Sequence, residues 1–100
     1  MSVSLISAPQ VTVAAAGTEQ RLVATNIDHV IAVYVSAPAA NTGSVSVGDA
    51  NVSITQGAQV GKGTTLTINA PEGQFIDIFN IWVDAASGDK VSISFLVKNN

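Results

Sequence analysis

The chain has no cysteine, so neither a disulfide framework nor a thiolate metal site can be drawn from it. Its stability has to come from packing. Charge is scarce as well: 11% of the 100 residues are Asp, Glu, Lys or Arg, about half the share of an ordinary domain. The cations are Arg21, Lys62, Lys90 and Lys98, scattered along a chain of net charge −3. No stripe of them could neutralise a row of phosphates, which removes nucleic acid from the expected partners. Long hydrophobic runs are missing too. No uninterrupted apolar stretch approaches the roughly 18 residues of a membrane-crossing helix, so no membrane partner is expected. Residues 1–17 lack a basic n-region, and Ser, Pro and Gln interrupt their apolar positions, so they are expected to stay on the mature protein.

Apolar residues are plentiful, at 47%. With so little charge, much of the surface must be Ser, Thr, Asn, Gln, Ala and Gly. Removing a hydroxyl or amide from water costs less than removing a charge, so such a surface suits packing against other protein and favours oligomers or assemblies. One hundred residues starting at a Met fit one domain, 1–100, long enough for a two-layer core and too short for a second.

Period-two alternation dominates. Val3 and Leu5 alternate with serines, and Val11 and Val13 follow Pro9, so 1–16 reads as an N-terminal arm or an edge strand. Strands are expected over 20–25, 30–36, 44–47, 52–55, 64–69, 75–85 and 90–97, with turns or loops at 26–29, 37–43, 48–51, 56–63, 70–74 and 87–89. No window of a dozen residues keeps a 3.6 period. The fold class expected is all-β, a β-sandwich or jelly roll of about seven to nine short, mainly antiparallel strands.

Two segments break the inside/outside pattern. In 75–84, Phe75, Phe79, Ile81 and Val83 share one side while Ile76, Ile78 and Trp82 share the other. In 30–35, Ile31, Val33 and Val35 oppose Val30, Ala32 and Tyr34. Strands apolar on both sides need cover from a loop, the N-terminal arm or a neighbouring subunit. Covering about 300 Å² of apolar area would contribute at most about 7 kcal/mol.

Little in the chain suits catalysis. His29, the single histidine, lies beside Asp28 in an expected turn, with no Ser, Cys or second His placed to complete a triad. Asp49, Asp77, Asp84 and Asp89 are not spaced as calcium ligands and read as turn aspartates capping their own backbone. Gly57, Gly61 and Gly63 lack the Lys-Ser/Thr and helix of a phosphate loop. Asn51-Val52-Ser53 fits the glycosylation pattern, which has no meaning without secretion. No catalytic, cofactor-binding or metal-binding residue is expected, and no cofactor. Trp82 and Tyr34 are of the type that stacks on sugars, but their apolar strands favour core or subunit packing.

The stretch Asn41-Thr42-Gly43-Ser44-Val45-Ser46-Val47-Gly48-Asp49 is followed by Asn51-Val52-Ser53, Gly57, Gly63-Thr64-Thr65-Leu66, Ala70-Pro71 and Trp82-Val83-Asp84-Ala85. Over about residues 30–97 this resembles small virion structural proteins of tailed bacteriophages, most of all the capsid decoration, or cement, proteins. The resemblance implies a β-sandwich or jelly roll on the virion's capsid surface, assembled in the host cytoplasm. There it would bind the major capsid protein as a homotrimer that bridges capsomers. On that basis Phe75, Ile76, Ile78, Phe79, Ile81, Trp82 and Tyr34 are candidates for the subunit interface. Val3, Leu5, Ile6, Val11 and Val13 are candidates for a capsid-contacting arm that adds to a sheet edge of another chain. The alternative is a receptor- or glycan-binding module of a phage fibre or other minor virion protein, contacting ligand through Tyr34 or Trp82.

Overall fold

The structure, a computed structural model, describes residues 2–99; Met1, the first residue of the expected arm, and Asn100 lie outside the described residues. It is all-β. The strands are β1 (Ser2–Ser7), β2 (Val11–Thr12), β3 (Gln20–Arg21), β4 (Val30–Ala37), β5 (Val45–Gly48), β6 (Ala58–Val60), β7 (Thr64–Asn69), β8 (Trp82–Asp84) and β9 (Lys90–Asn99). One 3-10 turn, Ile78–Asn80, precedes β8.

Every pairing is antiparallel. One sheet runs β1-β9-β4-β7, with β2 continuing β1 along β9; the other runs β3-β8-β5-β6. Ser7 pairs with Ser94 and Val11 with Val91, so the first strand carries one residue more than β9 across this interval. That extra residue is a bulge at Pro9, which has no N–H to give to a ladder. Counting β1 and β2 as one interrupted strand, the first strand pairs with the last, β3 with β8, β4 with β7 and β5 with β6. This nesting is the jelly-roll topology.

The core is made by the alternation of β4 and β9. Val33, Val35 and Ala37 face inward with Val91, Ile93 and Phe95, against Val45, Val47, Val60, Val83 and Ala85 of the other sheet; Val13, Leu22 and Ile78 close it. These side chains are mostly valines, which fit the pleated surface and bury without polar atoms.

Several expectations change here. The segment 75–85 is not one strand. Ile76 makes a single bridge to Val30, Ile78–Asn80 turns, and only Trp82–Asp84 joins a ladder. The chain leaves one sheet at Ile76 and joins the other at Trp82, so its apolar residues serve a crossover that passes Ile78 through the core. The second apolar face of 30–35 is reduced to Ala32 and Tyr34. A bulge between Val30 and Ala32 shifts the phase, placing Val30 on the inner side with Val33 and Val35. Strand 52–55 is absent: Ser53 and Gln56 bond each other's backbone at a hairpin tip, and a strand, β6, runs where a loop was expected. Of 20–25 only Gln20–Arg21 is strand. Residues 2–12 pair with β9, and Val13 is fully buried, so this region forms the edge strand of its own sandwich.

Antiparallel nesting sends alternate connections to opposite ends. The end holding 13–19, 38–44, 61–63 and 85–89 is pinned by buried polar groups. Asn41, 7% exposed, pairs its amide with the backbone of Lys90, donating to the carbonyl at 2.8 Å and accepting from the N–H at 2.9 Å. Asp89 accepts from the N–H and hydroxyl of Thr42 and from the N–H of Gly43. Asp84 accepts from the N–H of Gly17 and of Ala85. Asp84 thus caps its own turn and a distant loop, whereas the Asp89 side chain caps the distant 42–43 loop and not its own turn.

The backbone N–H of Thr42, more than any other contact, holds the Asp89 carboxyl below its ordinary 3.8. A lowered folded pKa stabilises above the unfolded value, and that contribution is lost as pH falls through the lower folded value. Acid titration of stability should therefore show a decline below pH 3.8 that is shallower in Asp89→Asn. Gly57 gives a second expectation. Its φ is +119°, and a Cβ there would lie 2.7 Å from the Val47 carbonyl oxygen. Gly57→Ala should cost at least about 2 kcal/mol in urea unfolding, whereas Gly43→Ala should change stability by no more than about 0.5 kcal/mol.

Candidate functional site

The outer face of the β1-β9-β4-β7 sheet gathers most of the exposed candidates. Register lays it out in rows across the strands: Leu5, Leu96, Ala32, Asn69; then Ser7, Ser94, Tyr34, Thr67; then Ser92, Ser36, Thr65. Val3 stands opposite Lys98. The Ser36 and Thr65 hydroxyls bond at 2.7 Å. Lysines 90 and 98 are the charged side chains of these rows, so a wide sheet face is polar but almost uncharged. At one end it dips into a depression of about 540 Å³ between Val3 and Phe75, lined by Ala32 and Leu96 together with the charged Glu72 and Lys98. Val3 is 53% exposed, Leu5 64% and Phe75 50%.

The flank of the sandwich beside β1 is open. There a second groove, about 620 Å³, runs between the two sheets and is lined by Ile6, Leu22, Val23, Ile27 and Phe95. It exists because β3 has only two residues and stops short. The opposite flank is closed by β6 lying against β7 and β4.

The candidate interface residues do not form one patch. Tyr34, half-buried, lies on the face just described, and Phe75 lies at its end. Trp82 projects from β8 on the outside of the other sheet, alternating with buried Val83. The Arg21 guanidinium lies 3.8 Å from the Phe79 ring centroid and 4.5 Å from that of Trp82, and Nη1 donates to the Phe79 carbonyl. Ile76 and Ile81 are half-buried, and Ile78 is fully buried, so Ile78 offers nothing to a partner. The continuous strand that was to carry a three-fold interface is therefore missing. Among the arm candidates, Val3 and Leu5 point outward, Ile6 faces the flank groove, Val11 is half-buried, and Val13 belongs to the core.

One face of Trp82 is occupied by Arg21, and its Nε1, like Asp84 Oδ2, is buried without a hydrogen-bond partner among the described residues. His29 takes a left-handed conformation, φ 64°, accepts from the Lys98 N–H through its carbonyl and sets its ring edge against Phe75 at 4.9 Å. Among the described residues no three His, Cys, Asp or Glu side chains gather as a metal site would require. Sequence reasoning missed the Arg21 stack, exposed Ile54 at the β5–β6 tip, and Leu96 on the outer row. Position 96 could have been found from the outward half of the β9 alternation.

Arg21→Ala should lower stability by about 2 kcal/mol, since it removes a charged hydrogen bond and two ring contacts. Arg21→Lys should recover only part, because an ammonium cannot lie flat over two rings. Trp82 is the single tryptophan, so its emission would report the change directly. No family model matches the chain, and searches of curated proteins and of solved structures return no significant match.

Proposed function

We propose that this protein is a virion structural protein of the capsid-decoration type, which docks on assembled head shells and reinforces them by bridging neighbouring capsomers. The observation that carries the reading is the outer face of the β1-β9-β4-β7 sheet. A rigid sheet presenting Ser, Thr and Tyr hydroxyls can be desolvated at lower cost than a charged face. It can then form the polar, well-packed contact typical of protein–protein interfaces. The partner is the major capsid protein. The chain acts by adding buried area rather than by chemistry, and the pinned loop end keeps the face rigid while it does so. The resemblance of about residues 30–97 to phage decoration proteins agrees with this role. Within the resembling motif, Asn41, Thr42 and Gly43 serve the fold by clamping residues 89 and 90.

Charge placed on this face should block docking, because an ion buried against the shell without a partner is expensive. Ser94→Glu combined with Thr67→Glu should reduce co-sedimentation with empty heads at least about tenfold, a loss of about 1.4 kcal/mol. Gln59→Glu, on the other sheet, should leave it unchanged. Equal binding by both variants would remove this face from the interaction.

A further inference from the structure

We infer that two copies of this chain associate by pairing β1 with β1 in antiparallel fashion about a two-fold axis at Leu5. The result is one continuous sheet through both molecules.

The parity of the strand supports this. The Ala8 N–H donates to the Ile93 carbonyl, in the same register that pairs Ile6 with Phe95 and Ser4 with Val97. In an antiparallel ladder, residues alternate between those bonded to a neighbour and those pointing away from it. The even residues therefore spend their N–H and C=O groups on β9, while those of Val3, Leu5 and Ser7 point to the open edge. None of these has a backbone partner across that edge among the described residues.

The self-pairing centred on Leu5 satisfies all of them within Ser2–Ser7. With Leu5 opposite Leu5, Val3 stands opposite Ser7, and every free N–H meets a free C=O. Shifting the axis to Ile6 sets Val3 against Pro9, which has no N–H. The strand Ser2–Ser7 also carries no charge, no proline and no lysine, the usual devices that keep an edge from pairing.

The occupant of the edge also covers the flank. A strand added beside β1 places Ser4 of the second copy next to Ile6, over the groove bounded by Leu22, Ile27 and Phe95. An edge of this length, about 20 Å, supplies roughly half of the ~800 Å² per partner of a standard interface. The groove wall supplies apolar area beyond it. Because the axis stands perpendicular to the sheet, both outer faces look the same way. The pairing requires only the chain itself, so it stands or falls independently of shell binding.

The native chain has no cysteine, which makes single-cysteine cross-linking clean. Opposed Cα atoms in such a pair lie about 5.5 Å apart, within disulfide range. Under mild oxidation Leu5→Cys should give a covalent dimer at least tenfold faster than Ser92→Cys, placed on the same face away from the edge. A mixture of Val3→Cys and Ser7→Cys should favour the mixed dimer over either homodimer. Sedimentation of the unmodified protein should show a concentration-dependent dimer. Leu5→Pro removes only an edge-facing N–H and should remain folded by circular dichroism while sedimenting as a monomer. A native chain that stays monomeric to millimolar concentration would overturn the inference. So would cross-linking at Leu5→Cys no faster than at Ser92→Cys, or a folded Leu5→Pro variant that still forms the native dimer.

Discussion

The double pairing of β9 is the constraint on which the rest of the molecule depends. This strand is hydrogen-bonded to β4 along one edge and to β1 and β2 along the other. Its alternation therefore sets the inside and outside of three neighbours at once. Val91, Ile93 and Phe95 face the core, and the residues that stand opposite them inherit the same side: Ile6 and Val33 beside Phe95, Val35 beside Ile93. A one-residue slip would turn each of these sets to solvent together. The two bulges, at Pro9 and Ile31, are the places where the chain changes phase without disturbing that register.

The two ends of the sandwich are built differently. At one end Asn41, Asp84 and Asp89 are buried, and each engages backbone groups of a loop distant in sequence, so these connections are tied by hydrogen bonds rather than by apolar contacts. Buried carboxylates of this kind need such donors, since burial alone would be costly. At the other end lie Ile54 and Phe75, both exposed, with exposed Asp28, Asp49, Glu72 and Asp77 around them. The exposed lysines 62 and 90 sit at the tied end. Charge is thus pushed to the two ends, and the broad sheet face between them is left almost neutral.

That neutrality gives the proposed role its physical basis. A flat face of hydroxyls can exchange water for protein with little penalty, while the charged ends keep the molecule from associating indiscriminately. Docking through the face and pairing through the β1 edge use different groups: side chains in one case, backbone N–H and C=O in the other. The two can operate together, because a sheet extended through its edge presents a longer face of the same character.

The all-β class and the ladders of the long strands were legible in the sequence. Thr64–Asn69 has the bounds that its alternation predicts, and Val30–Ala37 and Lys90–Asn99 differ from theirs only at the ends. These strands obey local rules, since β-branched residues at period two bury one face wherever they are placed. The candidate site was half legible: Val3, Leu5, Tyr34 and Phe75 converge on one face, while Trp82, Ile78 and Val13 go elsewhere. What tertiary structure alone decided is which element supplies the missing partner. A bulge at Ile31 moves Val30 to the other side, a crossover takes Ile78 into the core, and Arg21 stacks across two rings from separate segments. Each depends on residues far apart in the chain meeting in space. Period and composition carry no information about such meetings, because the hydrogen-bond donor or apolar wall that settles each position lies on a strand the local sequence does not contain.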